Sequence, residues 1–190
     1  MRKKPSFYTV TIPVKPYVNK FLEINYGLPV NFTEDPDSNT FFQGLLKNPC
    51  HLRDNMYPDV ISTYTTEIDI VISEHDFYNH GWELSKTDIV AFGKRYEGRA
   101  KTFMRSMVGI YHAIGLPINI SIRKFQARFL YDEDAWPYES IKKDYYRNGH
   151  KGNIDFNNEI FFKIENIIIR NLSDFGTFSK RTIKDYDTTK

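Results

Sequence analysis

Alternation marks the front of the chain. In FYTVTIPV, residues 7–14, β-branched and aromatic side chains run as far as Pro13, which predicts a strand stopped by proline. A second strand is expected over 65–73, TTEIDIVIS, where Ile68, Ile70 and Ile72 alternate with polar neighbours until Val71 interrupts. Paired, the two give a small α+β front region. Between them the period changes. After Pro16 the run YVNKFLEINYG sets Tyr17, Phe21, Ile24 and Leu28 at helical spacing and closes at Gly27, a helix C-cap. Residues 29–62 hold five prolines or glycines and the acidic cluster Glu34, Asp35 and Asp37, and read as loop with a short helix over 40–47.

From Ser85 the helical period takes over. Ser85 is an N-cap with Asp88 at the third position, a near capping box, and the helix is expected to run to about Ile114. Ile89, Phe92, Tyr96, Ala100, Phe103, Met107, Ile110, Tyr111 and Ile114 form its apolar stripe; Lys94, Lys101 and Arg105 fall opposite, flanked by Arg95 and Arg99. Gly93, Gly98 and Gly109 each cost about 1 kcal/mol relative to alanine, which argues against a straight, unbroken helix. Ile118, Ile120 and Ile122 alternate and allow a short strand. Ser121 as N-cap, with Ile122, Phe125 and Phe129 at i, i+3 and i+7, favours instead a helix over 121–131. A turn at DEDAW and Pro137 then lead to a helix over 136–148, closed by Asn148 and Gly149.

A last helix is expected over 157–171, burying Ile160, Phe161, Ile164, Ile167 and Ile168. The tail 176–190 has little apolar content and is expected to be mobile or to fold against a partner. The expected fold class is α+β: a small two-stranded front with a helix, followed by a mainly helical region. Three parts result, an acidic 1–80, a basic helical 85–172 and the tail.

Composition adds a core and little else: 41% hydrophobic and 16% aromatic residues suffice to bury one. A net charge of +2 is too mild to name a partner, but its distribution is uneven. Residues 1–30 carry +4, 31–90 carry −8, 91–150 carry +5 and 151–190 carry +1. The single Cys50 cannot form an internal disulfide, and MRKKPSFYTV lacks the apolar run of a signal peptide, so a reducing, cytoplasmic setting is expected. No apolar run approaches the roughly 20 residues of a membrane span, and no membrane partner is expected.

Enzyme signals are poor. Of the five histidines only EHDFYNH places two beside carboxylates, and His75 and His80 are five apart rather than at the i, i+4 spacing of a helical zinc pair. That segment is expected to be a solvated loop. Glu34, Asp35 and Asp37 lack the glycine and terminal glutamate of an EF-hand and suit a turn. No P-loop, G-x-G-x-x-G or G-x-S-x-G is present. The expectation is a protein without catalytic residues, metal or cofactor.

The segment 118–151 points most directly to a partner. Two short basic-aromatic helices around an acidic turn have the outline of a helix-turn-helix, with Trp136, Ile141 and Tyr145 inward on the second. Around its apolar anchors stand Arg123, Lys124, Arg128, Lys142, Lys143, Arg147 and Lys151, with Tyr138 and Tyr146 beside them. The cationic face of the long helix, Lys94, Lys101 and Arg105, adds charges able to track phosphates. The turn 132–135 is longer and more acidic than the tight glycine-containing turn of the simplest versions. The same residues also read as two amphipathic core helices with solvated charges.

In arrangement the segment resembles the helix-turn-helix of Mor-type activators of phages and mobile elements, over about 30 residues and without the turn glycine. The resemblance implies a non-enzymatic regulator that binds duplex DNA, with Tyr138, Lys142, Lys143 and Arg147 as reading residues. The competing expectation is a virion structural or assembly protein, such as a head-to-tail connector, that oligomerises by docking its basic surface on another copy's acidic one.

Overall fold

A computed structural model of the chain describes residues 7–49 and 61–149. Among them are two strands and six helices: β1 (Phe7–Val14), α1 (Pro16–Tyr26), α2 (Pro36–Leu45), β2 (Thr66–Ser73), α3 (Glu74–His80), α4 (Lys86–Ala113), α5 (Ile118–Arg128) and α6 (Tyr138–Asn148). The fold class is α+β, with a two-stranded sheet built from the front of the chain and, among the described residues, helices alone after β2. The chain divides between Arg147 and Asn148 into two units, and all of these elements but the last residue of α6 lie in the first. The helix expected over 157–171, the tail, Lys151 and Cys50 lie outside the described residues.

β1 and β2 pair antiparallel, with Val10 opposite Ile70 and Ile12 opposite Ile68. That register places Val10, Ile12, Val14, Ile68, Ile70 and Ile72 together in the core and leaves Thr9, Thr11, Glu67 and Asp69 exposed. A slip of one residue would reverse both sets, so burial fixes the register. Val30 adds one parallel bridge on the far side of β2, donating to the Asp69 carbonyl and accepting from the Val71 N–H, each at 2.8 Å.

The inner face of the sheet meets Val18, Phe21 and Leu22 of α1, Phe42 and Leu45 of α2, and the buried line of α4. The same core continues through Ile122 and Phe125 of α5 to Trp136, Ile141 and Tyr145. α4 runs 28 residues without a break, and its Ser85–Asp88 capping box is complete in both directions. Its glycines are tolerated, and Gly93 makes room for Tyr64: a Cβ there would fall on the Tyr64 hydroxyl and lie 2.7 Å from the ring carbon that carries it. Phe92, Tyr96 and Ala100 are buried as expected and Phe103 and Met107 are partly buried against the core, but the fully buried line continues through Met104 and Val108, and Ile114 is exposed. Spacing by four drifts slowly round a 3.6-residue helix, and the packing follows that drift.

Other boundaries moved for local reasons. α2 starts at Pro36, not near residue 40, because Asp35 caps it by accepting from the Ser38 N–H and Pro36 fits its first turn. The segment EHDFYNH is a helix rather than a loop: Ser73 caps α3 by accepting from the Asp76 N–H. α5 starts at Ile118, and Ser121 lies inside it, fully buried, donating to the Pro117 carbonyl at 3.0 Å. The alternating isoleucines therefore belong to a helix. α6 starts at Tyr138, with Trp136 in the turn ahead of it.

Candidate nucleic-acid interface

Residues 129–137 join α5 to α6, and their bonds define how α6 is presented. Leu130 adopts φ +55°, and the Tyr131 N–H returns to the Gln126 carbonyl at 2.9 Å, closing α5 in the manner of a glycine-type C-cap. Asp132 then organises a turn, accepting the Ala135 N–H on its carboxylate at 2.6 Å and the Trp136 N–H on its carbonyl at 2.9 Å. Glu133 accepts the Tyr138 N–H at 2.8 Å, so its carboxylate starts α6. It also pairs with Arg123 of α5. The backbone bond from Tyr138 first, and then Arg123, hold the Glu133 carboxyl below the ordinary glutamate range.

Trp136 plugs the junction. Its ring stacks on Tyr17 of α1 at 4.5 Å and meets Tyr131 edge-on at 5.3 Å, while its carbonyl accepts from the buried Gln126 amide at 3.0 Å. Ile141 and Tyr145 turn inward as expected. The connection is longer than the tight turn of a simple helix-turn-helix, and its apolar content comes from Tyr131 and Trp136 rather than from a close crossing of two helices.

Ionic partners sort the eleven candidate residues. Arg105 makes a bidentate pair with Asp144 of α6, at 2.7 and 2.9 Å, and so holds α6 on α4 instead of facing outward. Arg123 is pinned by Glu133 and lies 4.3 Å from the Tyr138 ring centroid. Lys142 is 3.6 Å from Glu139 and also stands over Tyr138, at 5.7 Å. Tyr138 is thus half-buried between two cations. Lys101 is 3.7 Å from Glu97, which is itself 2.7 Å from Lys15. Lys124 stands over the Tyr111 ring at 5.4 Å. Lys94, Arg128, Lys143 and Arg147 are exposed. Tyr146 is exposed against Tyr145.

At 100° per residue, Lys143, Tyr146 and Arg147 occupy the face of α6 opposite Ile141 and Tyr145. Arg147 leans to the Asp144 side, and Lys142 to the Tyr138 side. The α4 stripe reaches α6 through an ion pair rather than by merging with its outer face. The surface best placed to meet a polyanion is therefore short: Lys143, Tyr146 and Arg147, with Lys142 at its edge.

Much of the charge asymmetry is answered within the chain. Arg99 donates to Asp37 at 2.6 Å, to the Ser38 hydroxyl at 2.7 Å and to the Tyr26 hydroxyl at 3.3 Å, and Arg95 donates to Asp37 at 2.5 Å. Asp35 accepts from the Tyr26 hydroxyl at 2.7 Å and the Ser38 hydroxyl at 2.6 Å. The Ser38 and Tyr26 bonds, with Arg99 beyond them, hold the Asp35 carboxyl well below the usual carboxylate range. Lys47 pairs with Asp88 at 2.5 Å. Within the acidic cluster, Asp35 is thus a helix cap and Asp37 a counter-charge for α4.

Sequence reasoning gave no part in posing α6 to Glu133, Asp144 and Tyr17, whose contacts hold the helix and the turn ahead of it. The Glu133 signal was local, an acidic residue five positions ahead of the helix; the other two act across the fold. Among the described residues no group of three or more histidine, cysteine or carboxylate side chains is gathered as a metal site, and no helix is long and apolar enough to cross a membrane. No protein-family model, curated protein or solved structure matches the chain.

Proposed function

We propose that the protein is a non-enzymatic DNA-binding protein that meets duplex DNA with the outer face of α6. The observation that carries this reading is the pose of that helix: Ile141, Tyr145 and the Arg105–Asp144 pair fix it, and Lys143, Tyr146 and Arg147 stand outward together. Two cations and an aromatic hydroxyl on one rigid face suit phosphate positioning with limited base contact. Arg105, paired with Asp144, is a support rather than a contact, while Arg123 and Tyr138 are engaged at the surface with Glu133 and with each other. A regulatory role on mobile DNA follows from the resemblance to Mor-type activators alone.

Anisotropy titration of a labelled duplex across a salt series tests this. Binding should weaken with salt, and Lys143→Ala with Arg147→Ala should lower the log–log slope by roughly 0.9 per phosphate contact removed. Absence of binding at low salt, or a double variant that binds as wild type does, would sink the reading.

A second reading, a subunit of a self-assembling structure, is favoured by one specific observation. The carboxylates from outside α4 that pair with its cations are Asp35, Asp37 and Asp144, whereas Glu74, at the head of α3, is exposed.

A further inference from the structure

The surface around α3 is the chemical opposite of the α6 face. From residue 65 to residue 85 the chain carries five carboxylates, Glu67, Asp69, Glu74, Asp76 and Glu83, and no lysine or arginine. Within this stretch Phe77 is the centre of an aromatic stack, with Tyr8 at 4.3 Å, Trp82 at 4.5 Å and Tyr78 edge-on at 5.4 Å. The stack is at the surface: Tyr78 is 71% exposed and Trp82 38%, and Phe7, opposite Ser73 at the sheet end, is 60% exposed. Tyr8 and Tyr78 flank Phe77 from two sides, and the exposed Glu74 starts the same short helix, so rings and carboxylate form one patch.

The backbone under this patch is fixed. Gly81 has φ +94°, and a Cβ there would strike the Lys47 carbonyl and lie on the Asn48 nitrogen, so only glycine allows the approach. Lys47, whose backbone bridges to Glu83, turns its amino group to Asp88. Beside Tyr78 an open cleft of about 340 Å³ runs past His80 and Gly81 to residues 46–48, with room for a long side chain.

A contiguous exposed apolar patch with a polar rim marks an interaction site. Carboxylates at the rim repel phosphates, while aromatic faces beside carboxylates attract guanidinium and ammonium groups. We propose that this face receives the basic outer face of α6, Lys143, Tyr146 and Arg147, from a second copy of the chain. Charge complementarity selects the occupant: the α6 face offers cations where the α3 face offers rings and carboxylates. The two patches are different surfaces, so the contact is heterologous, and each copy carries one of each. The inference rests on the exposure of α6 invoked for DNA, not on DNA binding itself; DNA and a second copy would compete for one face.

Sedimentation velocity of the full chain over a concentration series at low and high salt reads the association. Wild type should associate at low salt and dissociate as salt rises. Glu74→Lys with Glu83→Lys, and separately Lys143→Glu with Arg147→Glu, should each give monomers. An equimolar mixture of these two variants should associate again, since reversed α3 faces then meet reversed α6 faces and native meets native. Tyr78→Ala, which changes no charge, should weaken wild-type association roughly fivefold, the size of one cation–π contact. A monomeric wild type at low salt, association that persists in either charge-reversed protein, or a mixture that stays monomeric would overturn the proposal. Loss in the α3 variant with retention in the α6 variant would give the face to another occupant and overturn it equally. Titrating the Glu74→Lys, Glu83→Lys protein with duplex DNA separates the two readings, because its α6 face is intact.

Discussion

Removing Arg105 separates a strut from a DNA contact. The guanidinium makes two bonds to Asp144, and both side chains are largely withdrawn from solvent, at 27% and 18% exposure. Two unit charges about 4 Å apart attract by about 4 kcal/mol at an effective dielectric constant of 20. Desolvation and the remaining solvent access cut this to a net value of about 1–2 kcal/mol for a bidentate pair. Arg105→Ala also leaves Asp144 without its guanidinium and strips methylenes from the α4–α6 contact, so its cost should be about 2 kcal/mol. Asp144→Ala should cost about the same, and the double variant less than the sum by about 1–1.5 kcal/mol. Urea unfolding followed by tryptophan fluorescence suits the measurement, because Trp136 lies buried against Tyr17 beside α6. A strut leaves the salt slope of DNA binding unchanged in Arg105→Ala, whereas a phosphate contact lowers it by roughly 0.9. Additive single variants, or a slope that drops by about one, would refute the placement of Arg105 inside the fold.

Three further outcomes are expected. Gly93→Ala gains about 1 kcal/mol of helix propensity but drives its Cβ into Tyr64, so it should destabilise by about 1–3 kcal/mol; on a Tyr64→Ala background its sign should reverse, and a cost there would refute the clash. Leu130→Gly should raise the free energy of urea unfolding by roughly 0.5–1 kcal/mol at unchanged m, since a leucine at φ +55° and 72% exposed surrenders strain and little burial; a loss would show that its side chain holds the turn. Asp35 has a folded pKa below its ordinary 3.8, so its contribution is present above that value and fades as pH falls toward the folded pKa. Asp35→Asn should therefore be less stable than wild type at pH 7, with a gap that narrows below about pH 4; a gap constant down to about pH 3 would contradict the assignment.

What could be read from the sequence was what local patterns determine. β1 and β2 were legible because one face of each is buried and the side-chain period is two. The start of α4 was legible because a capping box spans four consecutive residues. Asp35 followed by Pro36 carried an equally local start signal, but the surrounding prolines and acids masked it. α3 was missed because seven residues of EHDFYNH bury no side chain fully and so show no apolar stripe. The partners of the cations were beyond reach: Arg99 meets Asp37 across 62 residues and Arg105 meets Asp144 across 39. A pattern of like charges on one helix face is the same in sequence whether that face meets solvent, DNA or a carboxylate brought in by the fold. For that reason charges that share one face in the sequence are divided in the fold between ion pairs, as at Arg105 and Arg123, and exposed positions, as at Lys94, Arg128, Lys143 and Arg147.

Val30 has a consequence beyond adding one bridge to the sheet. By taking the Asp69 carbonyl and the Val71 N–H, it occupies the middle of the outer rim of β2, where an incoming strand from another molecule would otherwise find a free backbone ladder. A stray extended chain can reach only the flanking positions there, too few to build a continuous ribbon. The centre of this rim is thus covered against strand addition by a single residue that belongs to neither strand.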